Sequence, residues 1–202
     1  MTSILKADNI QDADGNNIIN ESSNTITIGA SGDTIALAGT TVTGITQGIT
    51  VADVWRYTAS TAGPSGDITS NLERADDASS GILGSGMSES SGIFSFPSTG
   101  IYMLSMTIGI NFANEADNNA NVVANVTMNN SSYDTVAFAC AGSNSTSNFS
   151  RFTVPAQALI DVTDTSNVKV KFTAASFDSG SYLEGSTTQN DTSFMFIRLG
   201  DT

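Results

Sequence analysis

Residues 92–106 read GIFSFPSTGIYMLSM, two apolar runs set around one proline and flanked by two glycines. From Tyr102 onward the even positions Leu104, Met106, Ile108, Ile110 and Phe112 are all apolar, whereas the odd neighbours Ser105, Thr107, Gly109 and Asn111 are small or polar. A period of two sends one set of side chains to a core and the other to the opposite face, the pattern of a half-buried strand. Phe94 and Phe96 repeat that alternation upstream. Between the runs, Pro97-Ser98-Thr99-Gly100 supplies residues that fix φ or tolerate unusual backbone angles. The stretch predicts a strand, a tight corner and a second strand.

Working outward, similar runs predict strands near 101–112, 121–129, 134–142, 149–162, 167–176 and 192–199, with Pro155 marking an edge or a bulge. Val168, Val170 and Phe172 alternate with Asn167, Lys169 and Lys171, as a sheet with one wet face requires. Trp55 and Tyr57 share one face of a first strand upstream. No amphipathic helix of useful length is visible. About eight strands at this spacing indicate an all-β antiparallel sandwich or jelly roll.

The chain has 202 residues, enough for one full core and a small additional element. Only 13% of its residues are charged, against about 25% in ordinary globular proteins, and Ser, Thr, Asn and Gly fill the difference. A net charge of −13 with seven scattered Lys and Arg argues against nucleic acid as a partner and against anionic membrane surfaces. The N-terminus MTSILKADNIQDADG lacks the apolar core of a secretion signal, and no stretch reaches the length of a membrane span, so synthesis and folding in the cytosol are expected. Histidine is absent, which removes the commonest general base and metal ligand. Cys140 is the sole cysteine and shares parity with Val136 and Phe138, which predicts a small apolar core residue. Neither a cofactor nor a metal is expected.

Residues 1–50 differ from the rest. The first 48 contain no aromatic residue, and short apolar groups recur at Ile18-Ile19, Ile26 and Ile28, Ile35 and Leu37, and Val42 and Ile45. Each piece is too short to build a core of its own. This segment is expected to be an extended β arm or short shaft that needs partners, preceding a head formed by residues 51–202. Asp12, Asp14 and Asn16 alternate as in a calcium loop, but Ser23 stands where such a loop needs a bidentate Glu; a hairpin turn at Asp14-Gly15 is the plainer reading.

Phe94, Gly100 and Tyr102, followed by apolar residues at 104 and 106, resemble the signature of the complement-type globular head, a jelly roll related to the tumour necrosis factor family. The final strand TSFMFIRLG resembles that family's closing strand. What the resemblance implies is a homotrimer with one sheet of each protomer facing a threefold axis, so Tyr102, Phe172, Phe194 and Phe196 are assigned to trimer or core packing. A second resemblance, carried by LKADNIQDADGNNII, ITIGASGDTIALAGTTVTGIT, VWRYTAS, NLERAD and GMSESSGIFSFPSTGIY, is to tail-fibre and appendage proteins of marine bacteriophages. It implies a virion structural protein whose arm docks on other virion proteins and whose trimeric head projects outward for host attachment. The alternative is a capsid decoration or head-fibre protein without a receptor role.

Antiparallel strands alternate direction, so every second connection lies at the same end of a sandwich. The connections 113–120, 143–148 and 177–191 therefore belong together, and with the arm at the base they form an apex. There Tyr182 is suited to stacking on a sugar ring, while Asp117, Asn118, Asn144, Asp178 and Glu184 are candidate hydrogen-bonding groups for a host surface glycan or protein. Glu73 with Asp76 and Asp77 offers the paired carboxylates of a polysaccharide-degrading enzyme, against the plainer reading of a loop in which Arg74 pairs with an acid. The Asn-x-Ser/Thr sites at Asn125, Asn130, Asn144 and Asn148 read as chance products of composition.

Overall fold

The computed structural model describes residues 9–11, 13, 17–22, 25–28, 48–114 and 116–202. The chain divides into two units, Met1–Ile45 and Thr46–Thr202. In the first, β1 (Asn9–Gln11), β2 (Asn17–Ser22) and β3 (Thr25–Ile28) form an antiparallel sheet in that order. Its register sets Ile10 opposite Ile19 and Ile19 opposite Ile28, and all three side chains are exposed. Such a row of isoleucines is what a segment too small to bury its own apolar face presents. Asp12, Asp14 and Asn16, and the apolar positions Ile35, Leu37, Val42 and Ile45, lie outside the described residues.

The second unit opens with β4 (Ala52–Tyr57), β5 (Thr61–Ala62), β6 (Gly66–Asp67), β7 (Leu72–Arg74), β8 (Ser88–Ser90) and β9 (Ile93–Ser95). It continues with β10 (Gly100–Ala113), β11 (Asp117–Thr127), β12 (Asp134–Ser143), β13 (Phe149–Val162), β14 (Lys169–Ala175), β15 (Ser181–Leu183) and β16 (Ser193–Gly200). No helix occurs among the described residues, so none is long and apolar enough to cross a membrane. The strands make two antiparallel sheets. In the first, β10 pairs with β13 on one side and with both β16 and β15 on the other; β4 and β7 extend it beyond β16, and β5 pairs with β15. The second runs β12-β11-β14-β9-β8, with β6 alongside β14. Pro155 sits opposite Thr107 on β13, an edge strand whose one ladder partner is β10, where a missing N–H costs no ladder bond.

The even-numbered face of β10 fills the space between the sheets, with Tyr102, Leu104, Met106, Ile108, Ile110 and Phe112 fully buried. Phe172 of β14 stacks on Phe194 of β16 with centroids 3.7 Å apart, joining the two layers. Phe94 meets Trp55 and Phe172 edge-on, at 5.4 and 5.5 Å. Burying a side chain of this size stabilises by about 1.5–3 kcal/mol relative to leaving it in water, so these rings and the aliphatic side chains around them hold the two layers together. The corner of the opening stretch is closed from inside, where the Tyr102 hydroxyl donates to the Ser98 carbonyl at 3.1 Å and shares a 2.9 Å bond with Ser98 Oγ. Gly100 is required there: φ is +138°, and a Cβ would collide with the Gly200 carbonyl.

Cys140 departs from the expectation drawn from its parity. On β12 the core-facing residues are Ala137 and Ala139, opposite Ala124 and Val122, whereas Phe138 is 55% exposed. Cys140 lies on Phe138's side, half-buried, and its thiol donates to Asn119 Oδ1 at 3.2 Å. Burial raises its pKa and the nearby Asp117 charge adds to the rise, so it is a poor nucleophile.

Candidate functional site

The connections after β10, β12 and β14 lie side by side. Ala113 is registered with Phe149, Asp117 with Ser143, and the Ala113 amide donates to the Gly180 carbonyl at 2.9 Å. Both the entry at Val51 and the exit at Gly200 are at the other end, where the Arg198 amide donates to the Val51 carbonyl and Ile101 is registered with Gly200. The second unit is therefore entered and left at the end opposite these loops.

Asp117 holds this end together rather than facing outward. It is 3% exposed, and its carboxylate accepts from Ser181 Oγ at 2.6 Å and from the Asp178 and Asn119 amides at 3.0 Å each. Burial pushes its pKa up, but the bonds from Asp178, Ser181, Asn119 and Ala120 outweigh it and hold the carboxyl below the usual range. Glu184 is likewise internal, 8% exposed, taking Arg151 Nη2 at 3.1 Å and Ser60 Oγ at 3.0 Å. Both depart from the expectation of free ligand-binding carboxylates, for the same reason: each is consumed in tying one loop to another.

Tyr182 is not in a loop. It belongs to β15, opposite Asn111 of β10 and Ala62 of β5, and is partly buried. Asp178, Asn118 and Asn144 are exposed at the loop end. The other four sequence candidates, Tyr102, Phe172, Phe194 and Phe196, lie wholly inside the sandwich with no exposed surface. Three contributors at this end are not apparent from the sequence. Arg151 bridges Glu184 and Asp191 at 3.1 and 3.5 Å. Phe149 is 63% exposed. Asn111 sits between Arg151 and Tyr182 in register, with its Oδ1 buried and unpartnered. The signal for Asn111 is in the sequence: it keeps the alternation yet places a bulky polar group on a stretch of that face where its neighbours Thr107, Gly109 and Ala113 are small.

Away from the loops, Glu73, Asp76 and Asp77 converge on one cation. Arg56, fully buried, donates Nε to Glu73 at 2.7 Å, Nη2 to Asp76 at 2.6 Å and Nη1 to Asp77 at 2.6 Å. Burial works against this charge, but Glu73 and Asp77 prevail and raise its pKa above that of an ordinary arginine. The carboxylates nominated for hydrolysis are thus engaged in a structural ion cluster. Arg74 does pair with an acid, Nε to Asp53 Oδ1 at 2.9 Å, but from strand β7 rather than from a loop. Among the described residues no group of three or more His, Cys, Asp and Glu side chains can hold a metal ion.

With two sheets of this order and connectivity, the second unit is a jelly roll of the tumour necrosis factor type. It is similar to the structure of Eiger TNF from S. frugiperda, with a TM-score of 0.56 and 12% identity over 77% of this chain and 96% of that one. It is also similar to murine APRIL at pH 5.0, with a TM-score of 0.53 and 11% identity over 74% of this chain and 98% of that one. Likeness at such identity carries the fold and no activity. No family model and no curated protein matches the sequence.

Proposed function

We propose that the protein is a non-enzymatic structural component of a bacteriophage virion, a fibre or appendage whose Thr46–Thr202 unit forms a homotrimeric head that meets the host. The observation that carries the self-association is a pair of different apolar surfaces. On the outward face of the first sheet, Ile101 and Met103 lie beside Met195 and Ile197, all partly exposed. On the free edge of the sandwich, Phe138, Phe149 and Phe152 are exposed on β12 and β13. A surface that meets a copy of itself gives a dimer, whereas two unlike surfaces that meet head to tail close a ring. The resemblance to the complement-type head supports three copies.

The virion assignment is supported by the resemblance of the arm and the first head strands to appendage proteins. The exposed Ile10, Ile19 and Ile28 row agrees with an arm that docks on another virion protein. Engagement of Glu73, Asp76 and Asp77 by Arg56 weighs against polysaccharide cleavage. Light scattering on the purified chain tests the assembly: a mass three times the 20.9 kDa protomer is expected, and a monomer rules the reading out. Host contact is tested by adsorption. Particles whose 143–148 and 177–180 loops are replaced with Gly-Ser segments should lose it, and undiminished adsorption would leave the decoration role in its place.

A further inference from the structure

Between β12 and β13, on the free edge of the sandwich, lies a cleft of ≈ 230 Å³. Val126, Met128 and Val136 line it from the β11–β12 hairpin and Leu159 and Ile160 from β13, with Asp134 and Asp161 beside them. Leu159, at 67%, is the most exposed large hydrophobic residue among those described, and Met128 and Val136 are exposed as well. Pockets that hold drug-sized ligands measure about 300–1,000 Å³, so this one takes a single side chain. The ladders fix its level along the strands. Leu159 is registered with Met103 of β10, and Met103 in turn with Ile197 of β16. The cleft and the apolar outward patch of Ile101, Met103, Met195 and Ile197 therefore stand at one height. Phe152 and Phe149 lie further along β13, opposite Ile110 and Ala113.

We propose that this cleft is the socket by which one head holds the next; resting on the head-to-tail ring described above, it receives the Met103 side chain of a neighbouring copy, with that copy's Ile197 beside it. Rotation about an axis carries a residue around the axis and never along it, so in a ring whose axis runs with the strands the two surfaces that meet must share a height. The cleft meets that condition for the Met103 patch, whereas Phe149 and Phe152 do not. Shape agrees, because methionine is unbranched and flexible and fills narrow, irregular gaps. Charge agrees too. Chains carrying −13 repel one another at long range, so copies meet most readily where one side is neutral. The outward positions from Ile101 to Thr107 on β10 and from Ser193 to Ile197 on β16 bear no charge, and against them Asp134 and Asp161 face no second carboxylate.

Two cysteines bridge only when their Cα atoms come within about 7 Å, so a disulfide tests the contact directly. In the full chain, M103C/V136C/C140S places one thiol on each side of the socket, and M103C/F149C/C140S places the second thiol at the wrong height. After mild oxidation, non-reducing denaturing electrophoresis is expected to show covalent trimers of the first variant and none of the second. A further variant leaves Met103 in place: Val136→Trp fills the cleft and should turn the trimer into a monomer with an unaltered circular dichroism spectrum. If light scattering gives a trimer while the V136C variant stays unlinked, both pairs link equally, or V136W remains trimeric, the socket is overturned and the ring stands. A monomeric unaltered chain overturns both.

Discussion

Asp53 accepts four hydrogen bonds while only 1% exposed: from Trp55 Nε1 at 2.9 Å, the Met87 amide at 2.7 Å, and Arg74 Nε and Nη2 at 2.9 and 3.2 Å. It shares the inward face of β4 with Trp55 and Tyr57, where alternation alone calls for an apolar residue. Its partners Arg74 and Met87 are 21 and 34 positions away, too distant for any local pattern to reveal. Asp53→Ala should cost about 3–5 kcal/mol, the usual penalty for breaking a buried charged cluster, read as a lower urea midpoint with an unchanged slope. Asp117 makes a pH-dependent contribution with a definite sign. Its folded pKa lies below the ordinary value of 3.8, so its stabilisation is complete above the unfolded pKa and is lost as pH falls through the folded one. The native protein should therefore lose more stability between about pH 5 and pH 2 than Asp117→Asn does, measured by urea unfolding across that range.

Long elements were legible and short ones were not. Alternation over 101–112 anticipates Gly100–Ala113 to within a residue at each end, and the run at 149–162 matches β13 in full. Strands of two or three residues such as β5, β6 and β15 cannot display a period, so Tyr182 reads as loop when it is strand. On β12 both alternating sets are apolar, Val136 and Phe138 against Ala137 and Ala139, so hydropathy gives no direction and the register with β11 decides. Sequence also gives no view of how closely the segment after β15 lies on β10. A Cβ at Gly109 would stand 2.8 Å from the Asp191 carbonyl and 3.0 Å from Glu184 Cβ. Gly109→Ala should lift that segment, costing about 1–3 kcal/mol. Faster amide exchange at Glu184 and Thr192, with exchange in β11 and β14 unchanged, would show that the effect is local.

At the scale of the whole molecule, the jelly roll follows from counting strands, whereas its assembly rests on which apolar residues the fold leaves outside. Met103 and Ile197 occupy opposed positions on β10 and β16, facing away from the core. M103E/I197E should therefore abolish the proposed trimer and leave a folded monomer, seen as a mass near 20.9 kDa with an unaltered β-sheet circular dichroism spectrum. Persistence of the trimer would move the contact elsewhere. The loop cluster was legible in outline because parity of connections needs only strand number. The internal roles of Asp117 and Glu184 were not, because a carboxylate that binds a neighbouring loop and one that awaits a ligand have the same sequence appearance.

The position of β4 gives the head a mechanical character. This strand follows directly from the segment entering the unit and lies between β16 and β7, with residues 52–56 matched to 197–193. A tug on the leader, directed along the strand, stretches that whole ladder at once instead of peeling it bond by bond. In the proposed appendage, load arriving along β4 would meet the head in shear, the direction in which a ladder of hydrogen bonds is stiffest.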